Sequence, residues 1–300
     1  MKIRVLTVIV CVMAVANIAS ADMVQGINID FVTIGHAGNA PDTQVMRDGT
    51  TGYGSVAYNY RLSKYEVTNA QWNTFTAVAG APTGNDGGYG IPAYYTGDQQ
   101  PTNNVSWYET FQFCNYLTSG DKSKGAYQFS GNNINPGSFL GINRTAAQTT
   151  YGTVYFLPTE DEWYKAAYYK PDGSGYSLYA NGLDTLPAGD NGWNLAGGSY
   201  STPWDVGTGT EEQNGTFDMM GNLWERNETL MSEIYPGIRG GCFGHYDYDS
   251  ASTYRPQSSP DYEGLDTGFR VASVPEPTTL LLLGFGAGMV RGRRRRELVN

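Results

Sequence analysis

Sulfur and imidazole are scarce in this 300-residue sequence, which holds three cysteines and two histidines. So few cysteines cannot staple a disulfide-dense fold, and the folded part must rely on a core of its own. His36 and His245 are too few to build any site that asks for three imidazoles. Long apolar runs are missing too: the longest are Val5 to Ile18 and Thr278 to Val290, short of the roughly 20 residues a bilayer-spanning helix needs. Neither a Gly-x-Ser-x-Gly nucleophile elbow nor a phosphate-cradling glycine loop is present. Positive charge is the last shortage, with 19 Lys and Arg against 29 Asp and Glu. Seven of the basic residues and two of the acidic ones lie in the two ends, so 12 face 27 in between, a net charge of −15. That balance argues against nucleic acid or anionic lipid as a partner and suits bound cations.

The two ends read as addresses. Lys2 and Arg4 precede the uncharged run from Val5 to Ile18, and Ala19-Ser20-Ala21 closes it. A basic start, a short apolar core and small residues before the cut are the requirements of a secretory signal peptide, with Asp22 as the first mature residue. At the other end, Val274-Pro275-Glu276-Pro277 leads into Thr278 to Val290 and then Arg291 and Arg293 to Arg296. This arrangement resembles the PEP-CTERM sorting signal of exopolysaccharide-producing Gram-negative bacteria. The resemblance implies transient anchoring in the inner membrane, arginines inside, and removal by an exosortase-type enzyme; a permanent anchor is the alternative. The chain then divides into a signal peptide (1–21), one domain (22–273) and a sorting segment (274–300). Cys11 leaves with the signal peptide, and Cys114 and Cys242 remain.

Within the domain, Thr68-Asn69-Ala70-Gln71, Ser106-Trp107-Tyr108-Glu109 and Thr159-Glu160-Asp161-Glu162 each pair a hydroxyl with a Gln or Glu three residues on. This capping-box pattern, followed by apolar residues at helical spacing, predicts three short helices. Alternation in Ile27, Ile29 and Phe31, and again within Val56 to Val67, predicts strands before the first helix. The Gly-, Asn-, Ser- and Tyr-rich tracts Gly80 to Gly97, Ser130 to Tyr151 and Pro171 to Thr216 are expected to hold neither regular helix nor long strand. Trp107, Trp163, Trp193 and Trp224 read as core packing. Asp161-Glu162 reads as capping, and Glu211-Glu212 as a solvated loop.

In order, the chain gives YRLSKYEVTNAQW (60–72), PTNNVSWYETFQFCNYL (101–117), FLPTEDEWYKAAYY (156–169), NGTFDMMGNLWE (214–225), IRGGCF (238–243) and GFRVAS (268–273). These six segments resemble the successive motifs of the formylglycine-generating-enzyme, or sulfatase-modifying-factor, family. The resemblance implies an α+β fold with little regular secondary structure, related to C-type lectins and often binding calcium. For one calcium it implies carboxylates from Asp218 and Glu225 and carbonyls from Gly221 and Leu223. For a second it implies Asn194, Asp205 and the carbonyls of Leu195 and Gly207. Asp-x-x-Gly-x-Leu-x-Glu offers the charge and the flexible loop a hard cation wants. The competing reading lets these acids cap turns or pair with Arg226 and Arg239. Arg270 is available for a buried carboxylate.

The family's chemistry is another matter. Its catalytic members place two cysteines after the Gly-Gly pair to hold copper(I), and the corresponding positions here are His245 and Ser250. No cysteine follows Cys242, so copper is not expected and no catalytic residue is assigned. Superfamily members using iron held by three histidines are excluded by the histidine count. Cys242 with His245 as a remnant copper or redox site is the sharper reading, but a thiol without a general base or second ligand reads as inert and packed. Cys114, whose usual partner position is Val271, reads as a buried free thiol. The expectation is therefore an exported, calcium-stabilised binding or structural module. Glycan, exopolysaccharide or extracellular peptide is its partner, in the periplasm, on the outer surface or in the matrix. The alternative is an oxidase of protein cysteines acting through an altered site.

Overall fold

The computed structural model describes residues 20–82, 95–186, 192–195 and 202–274. The apolar start to Ala19 and the tail from Pro275 lie outside them, as do parts of the first and third glycine-rich tracts. In chain order the elements are β1 (Ser20–Val24), β2 (Ile27–Ile34), β3 (Tyr60–Ser63), α1 (Asn69–Ala79), α2 (Trp107–Ser119), β4 (Tyr127–Phe129) and β5 (Phe139–Ile142). They continue with α3 (Arg144–Tyr151), β6 (Val154–Phe156), α4 (Glu160–Tyr168), β7 (Trp224–Leu230), β8 (Pro236–Arg239), β9 (Thr267–Phe269) and β10 (Ala272–Val274). β1, β2, β3, β10 and β6 form one antiparallel sheet in that spatial order. The last strand thus sits between β3 and β6 and ties the two halves of the chain together. A second sheet, β8-β7-β9, joins β9 to β7 in parallel.

All three expected capping boxes form, at Thr68 with Gln71, Ser106 with Glu109 and Thr159 with Glu162. In β2, Ile27, Ile29 and Phe31 turn inward. The helices and the larger sheet enclose an aromatic core in which Phe111 stacks on Tyr127 at 3.7 Å and Trp72 on Phe113 at 5.7 Å. Trp107, Trp163 and Trp224 are buried as expected, and Trp193 is half-buried. Two expectations fail. Ser130 to Tyr151 holds the helix α3, capped by Asn143, and one arm of the β4–β5 hairpin. Only Ala147 of α3 is buried, so its sequence carries no apolar period to betray it. Glu212 is not solvated but buried, with Thr216 Oγ1 and the Met219 amide donating to Oε2.

Order in the irregular tracts comes from buried polar side chains aimed at loop carbonyls. Arg239 donates to the carbonyls of Ser252 and Tyr254, Arg226 to those of Val105 and Tyr262, and Asn214 to those of Ala166 and Tyr169. Backbone groups with no ladder partner are satisfied this way. The densest such node is Arg270, fully buried after β9. It donates from Nε and Nη2 to both oxygens of Glu225 on β7, at 2.6 and 2.5 Å, and also to the carbonyls of Ser63 and Phe217. Trp163 of α4 adds its indole N–H to Glu225 Oε2 at 2.6 Å.

Replacing Arg270 by Met leaves Glu225 buried and unpaired and should cost about 3–5 kcal/mol; Glu211→Gln, at the exposed pair with Lys64, should cost less than about 1 kcal/mol. Urea unfolding of both variants makes the comparison, and equal losses would refute it. For Glu212, burial pushes the carboxyl from 4.5 up to about 8. The folded state therefore holds a proton that the unfolded chain gives up near the ordinary value. The stability this contributes is fully present below pH 4.5 and is lost as pH rises through about 8. Glu212→Gln should flatten that decline in unfolding curves taken across the same pH range.

Candidate functional site

The segments expected to hold calcium converge, but not as two separate cages. Asp218, with positive φ at 63°, accepts a hydrogen bond at Oδ2 from the Gly207 amide at 2.8 Å, joining residues assigned to different ions. The Asn222 amide donates to the Asn194 carbonyl, and Asn194 Nδ2 donates to the Thr202 carbonyl. Gly221 adopts φ +94°, and a Cβ there would lie 2.5 Å from the Asn194 carbonyl, so only glycine lets the two loops close. Leu223 is buried beside them, Leu195 is half-buried, and Asp205 is exposed with its carbonyl turned to the Thr208 amide.

Glu225, expected to offer a carboxylate to calcium, has both oxygens committed to Arg270 and Trp163. It does not fit a cation site, because an ion there would face the Arg270 guanidinium. Nor do the expected arginine partners take these acids: Arg239 pairs with Glu160, and Arg226 turns to carbonyls. Asp218 fits better, since among the described residues no hydrogen bond to its Oδ1 is formed and its carboxyl is pushed up by burial to about 6. Sequence reasoning missed Glu66. It is buried, takes hydrogen bonds from Asn222 Nδ2 and the Leu223 amide, and is raised well above the usual range by burial and by the charges of Asp218 and Glu225. The only signal was an acid between the apolar ends of Tyr65 and Val67, inside a segment read as a strand.

A cavity of about 430 Å³ opens beside this cluster. Asn28, Asp30, Thr74 and Gln99 line it with polar groups, Tyr65 gives it an aromatic wall, and Val206 closes one side. Tyr65 also packs against Gly207, where a Cβ would approach its ring to 2.5 Å. The wall of the cavity and the Asp218 cluster are therefore one piece of backbone.

The third region is the turn after β8. Glu160 on α4 holds Arg239 with Oε1 and Arg255 with Oε2, both at 2.6 Å, and so fixes where the turn begins. Gly240 and Gly241 carry φ of 100° and 80° and swing the chain into Cys242, which is fully buried. Ser250 is buried and donates to the Asp247 carbonyl at 2.6 Å. With a histidine and a committed serine in place of two thiolates, these positions do not fit copper(I) held by a cysteine pair. Cys114 and Cys242 are separate free thiols, as expected. Burial pushes the Cys242 thiol up to about 12, which opposes its use as a free nucleophile. Cys242 is nevertheless not isolated, as its sequence suggested: its sulfur, a His245 ring nitrogen and an Asp266 carboxylate oxygen all lie within 4.8 Å of one another. Nothing in the sequence joins residue 266 to 242; the pairing of β7 with both β8 and β9 does.

The sulfatase-modifying factor enzyme 1-like domain matches residues 38–274, and the PEP-CTERM protein-sorting motif matches residues 273–296. The second match is the address that an exosortase-type sorting system recognises, so the chain is marked for export and C-terminal membrane association. Chaperone protein LppX of Paenibacillus barcinonensis is 24% identical over 234 residues, covering 71% of this chain and 79% of its own length. Treponema denticola variable protein 1 has a TM-score of 0.60 at 21% identity, over 87% of this chain and all of its own. CarF has a TM-score of 0.60 at 22% identity, over 83% of this chain and 99% of its own. At such identities the two structures establish the fold alone, the α+β, C-type-lectin-related architecture. Matched over most of its length, the chain belongs to the sulfatase-modifying factor enzyme 1-like domain family.

Proposed function

We propose that this protein is an exported binding module that holds a glycan in the cavity between β2, α1 and the Gln99 and Val206 segments. The observation that carries the reading is the cavity's lining. Exposed Asn28 and Gln99, half-buried Asp30 and Thr74, and the Tyr65 ring supply convergent hydrogen-bonding groups beside one aromatic face, the mixture a sugar's hydroxyls and apolar ring face require. Calcium is the ion that suits its wall. Glu66, Asp218 and Glu212 are buried acids near a single buried guanidinium, Arg270, already engaged by Glu225. A hard cation on Asp218 would offset the charge that this carboxyl, raised by burial to about 6, carries at neutral pH, and would hold Gly207, and hence Val206, in place. An exopolysaccharide fits an address used by exopolysaccharide-producing cells. The alternative, oxidation of a protein cysteine, lacks the second thiolate such chemistry requires and has no supporting geometry.

A glycan array probed with the full chain, with calcium and with chelator, checks this. Binding should require calcium. It should fall at least about tenfold, or roughly 1.4 kcal/mol, in Asn28→Ala with Gln99→Ala, and should lose its chelator sensitivity in Asp218→Asn. Arrays blank in both conditions would sink the proposal.

A further inference from the structure

We propose that Cys242, His245 and Asp266 form a three-ligand site for a borderline divalent cation of the zinc class, with its fourth position open to solvent. Thiolate, imidazole and one carboxylate oxygen are the ligands such an ion takes, whereas calcium wants oxygen alone and copper(I) favours paired sulfur. The inference stands apart from the glycan reading: none of its residues lines the cavity or touches Asp218.

The geometry is that of a built site. Cys242 and His245 are three apart in one turn, closed by the His245 amide donating to the Cys242 carbonyl at 3.1 Å. His245 Nε2 stands 3.8 Å from Asp266 Oδ2, too far for a hydrogen bond and near the span of two ligands on one ion. The other ring nitrogen, Nδ1, faces Asp249 Oδ2 at 3.6 Å, the carboxylate that would orient a ligating imidazole. Trp224 meets the imidazole edge to face at 5.5 Å and limits its rotation. Asp266 is fixed from both sides. Its Oδ1 accepts from Thr267 Oγ1 at 3.1 Å, and its carbonyl accepts from the Trp224 amide at 2.8 Å, which leaves Oδ2 for the ion. The His245 side chain is 46% exposed and that of Asp266 30%, so the ion would be reached from solvent while the sulfur stays inside.

The test uses the full chain, reduced, stripped of metal and kept in saturating calcium, titrated with zinc and then with cobalt(II) as a spectroscopic substitute. One equivalent should bind, and cobalt should show a thiolate charge-transfer band that zinc abolishes. His245→Gln and Asp266→Asn should each weaken zinc by at least about tenfold. Cys242→Ser should remove the band, and Cys114→Ala should keep it. His245 is half-exposed, so its variant is expected to fold, and near-ultraviolet circular dichroism checks each variant. Absence of the band, its survival in Cys242→Ser, or unchanged affinity in folded His245→Gln and Asp266→Asn would overturn the proposal. These readouts do not involve sugar, so their failure leaves the cavity reading standing, and the reverse.

Discussion

Arg270 is the positive charge around which the interior of this domain is arranged. A guanidinium is costly to strip of water, and the cost is met here because several contacts are made at once: two oxygens of Glu225 and the carbonyls of Ser63, Lys64 and Phe217. The segments so gathered are the end of β3, the loop before Met219, β7 and the connection between β9 and β10. With Trp163 of α4 on the same carboxylate, one ion pair spans both sheets and a helix. A chain with short strands and long irregular tracts needs such a node, because ladder hydrogen bonds alone satisfy too little of its backbone.

The same node sets the electrostatics of the interior. Glu225 is matched by Arg270, but Glu66 and Glu212 are held by neutral donors and are pushed upward by burial, and Asp218 follows the same direction. Where an arginine is present the acid serves as architecture, as Glu160 does between Arg239 and Arg255. Where none is present, the acid carries a proton or calls for a cation. This distinction, rather than the acidic motif itself, separates Glu225 from Asp218.

The turn after β8 brings unlike donors together. Two glycines at positive φ lead into it, and Ser250 is buried beside it. The side chains there present one thiol, one imidazole and one carboxylate. A lone sulfur suits copper(I) poorly, while the convergence of unlike donors suits a borderline ion.

Much of this was legible in the linear chain. Capping boxes depend on residues three apart, so Thr68, Ser106 and Thr159 announced their helices without any tertiary information. The sorting motif at the C-terminal end, the order of six motifs and the want of a second thiol after Cys242 are equally local facts. Helix α3 escaped because a surface helix with one buried residue has no apolar stripe, and Glu212 escaped because adjacency says nothing about burial. The sequence alone therefore determined the three capped helices and how few sulfur and imidazole donors the chain can bring to any site. Only the tertiary structure decided which charges meet: that Arg270 takes Glu225, that Glu66 joins Asp218, and that Asp266 arrives beside Cys242 and His245. Those pairings span tens to hundreds of residues, and they are set by strand order and burial, which no local pattern encodes.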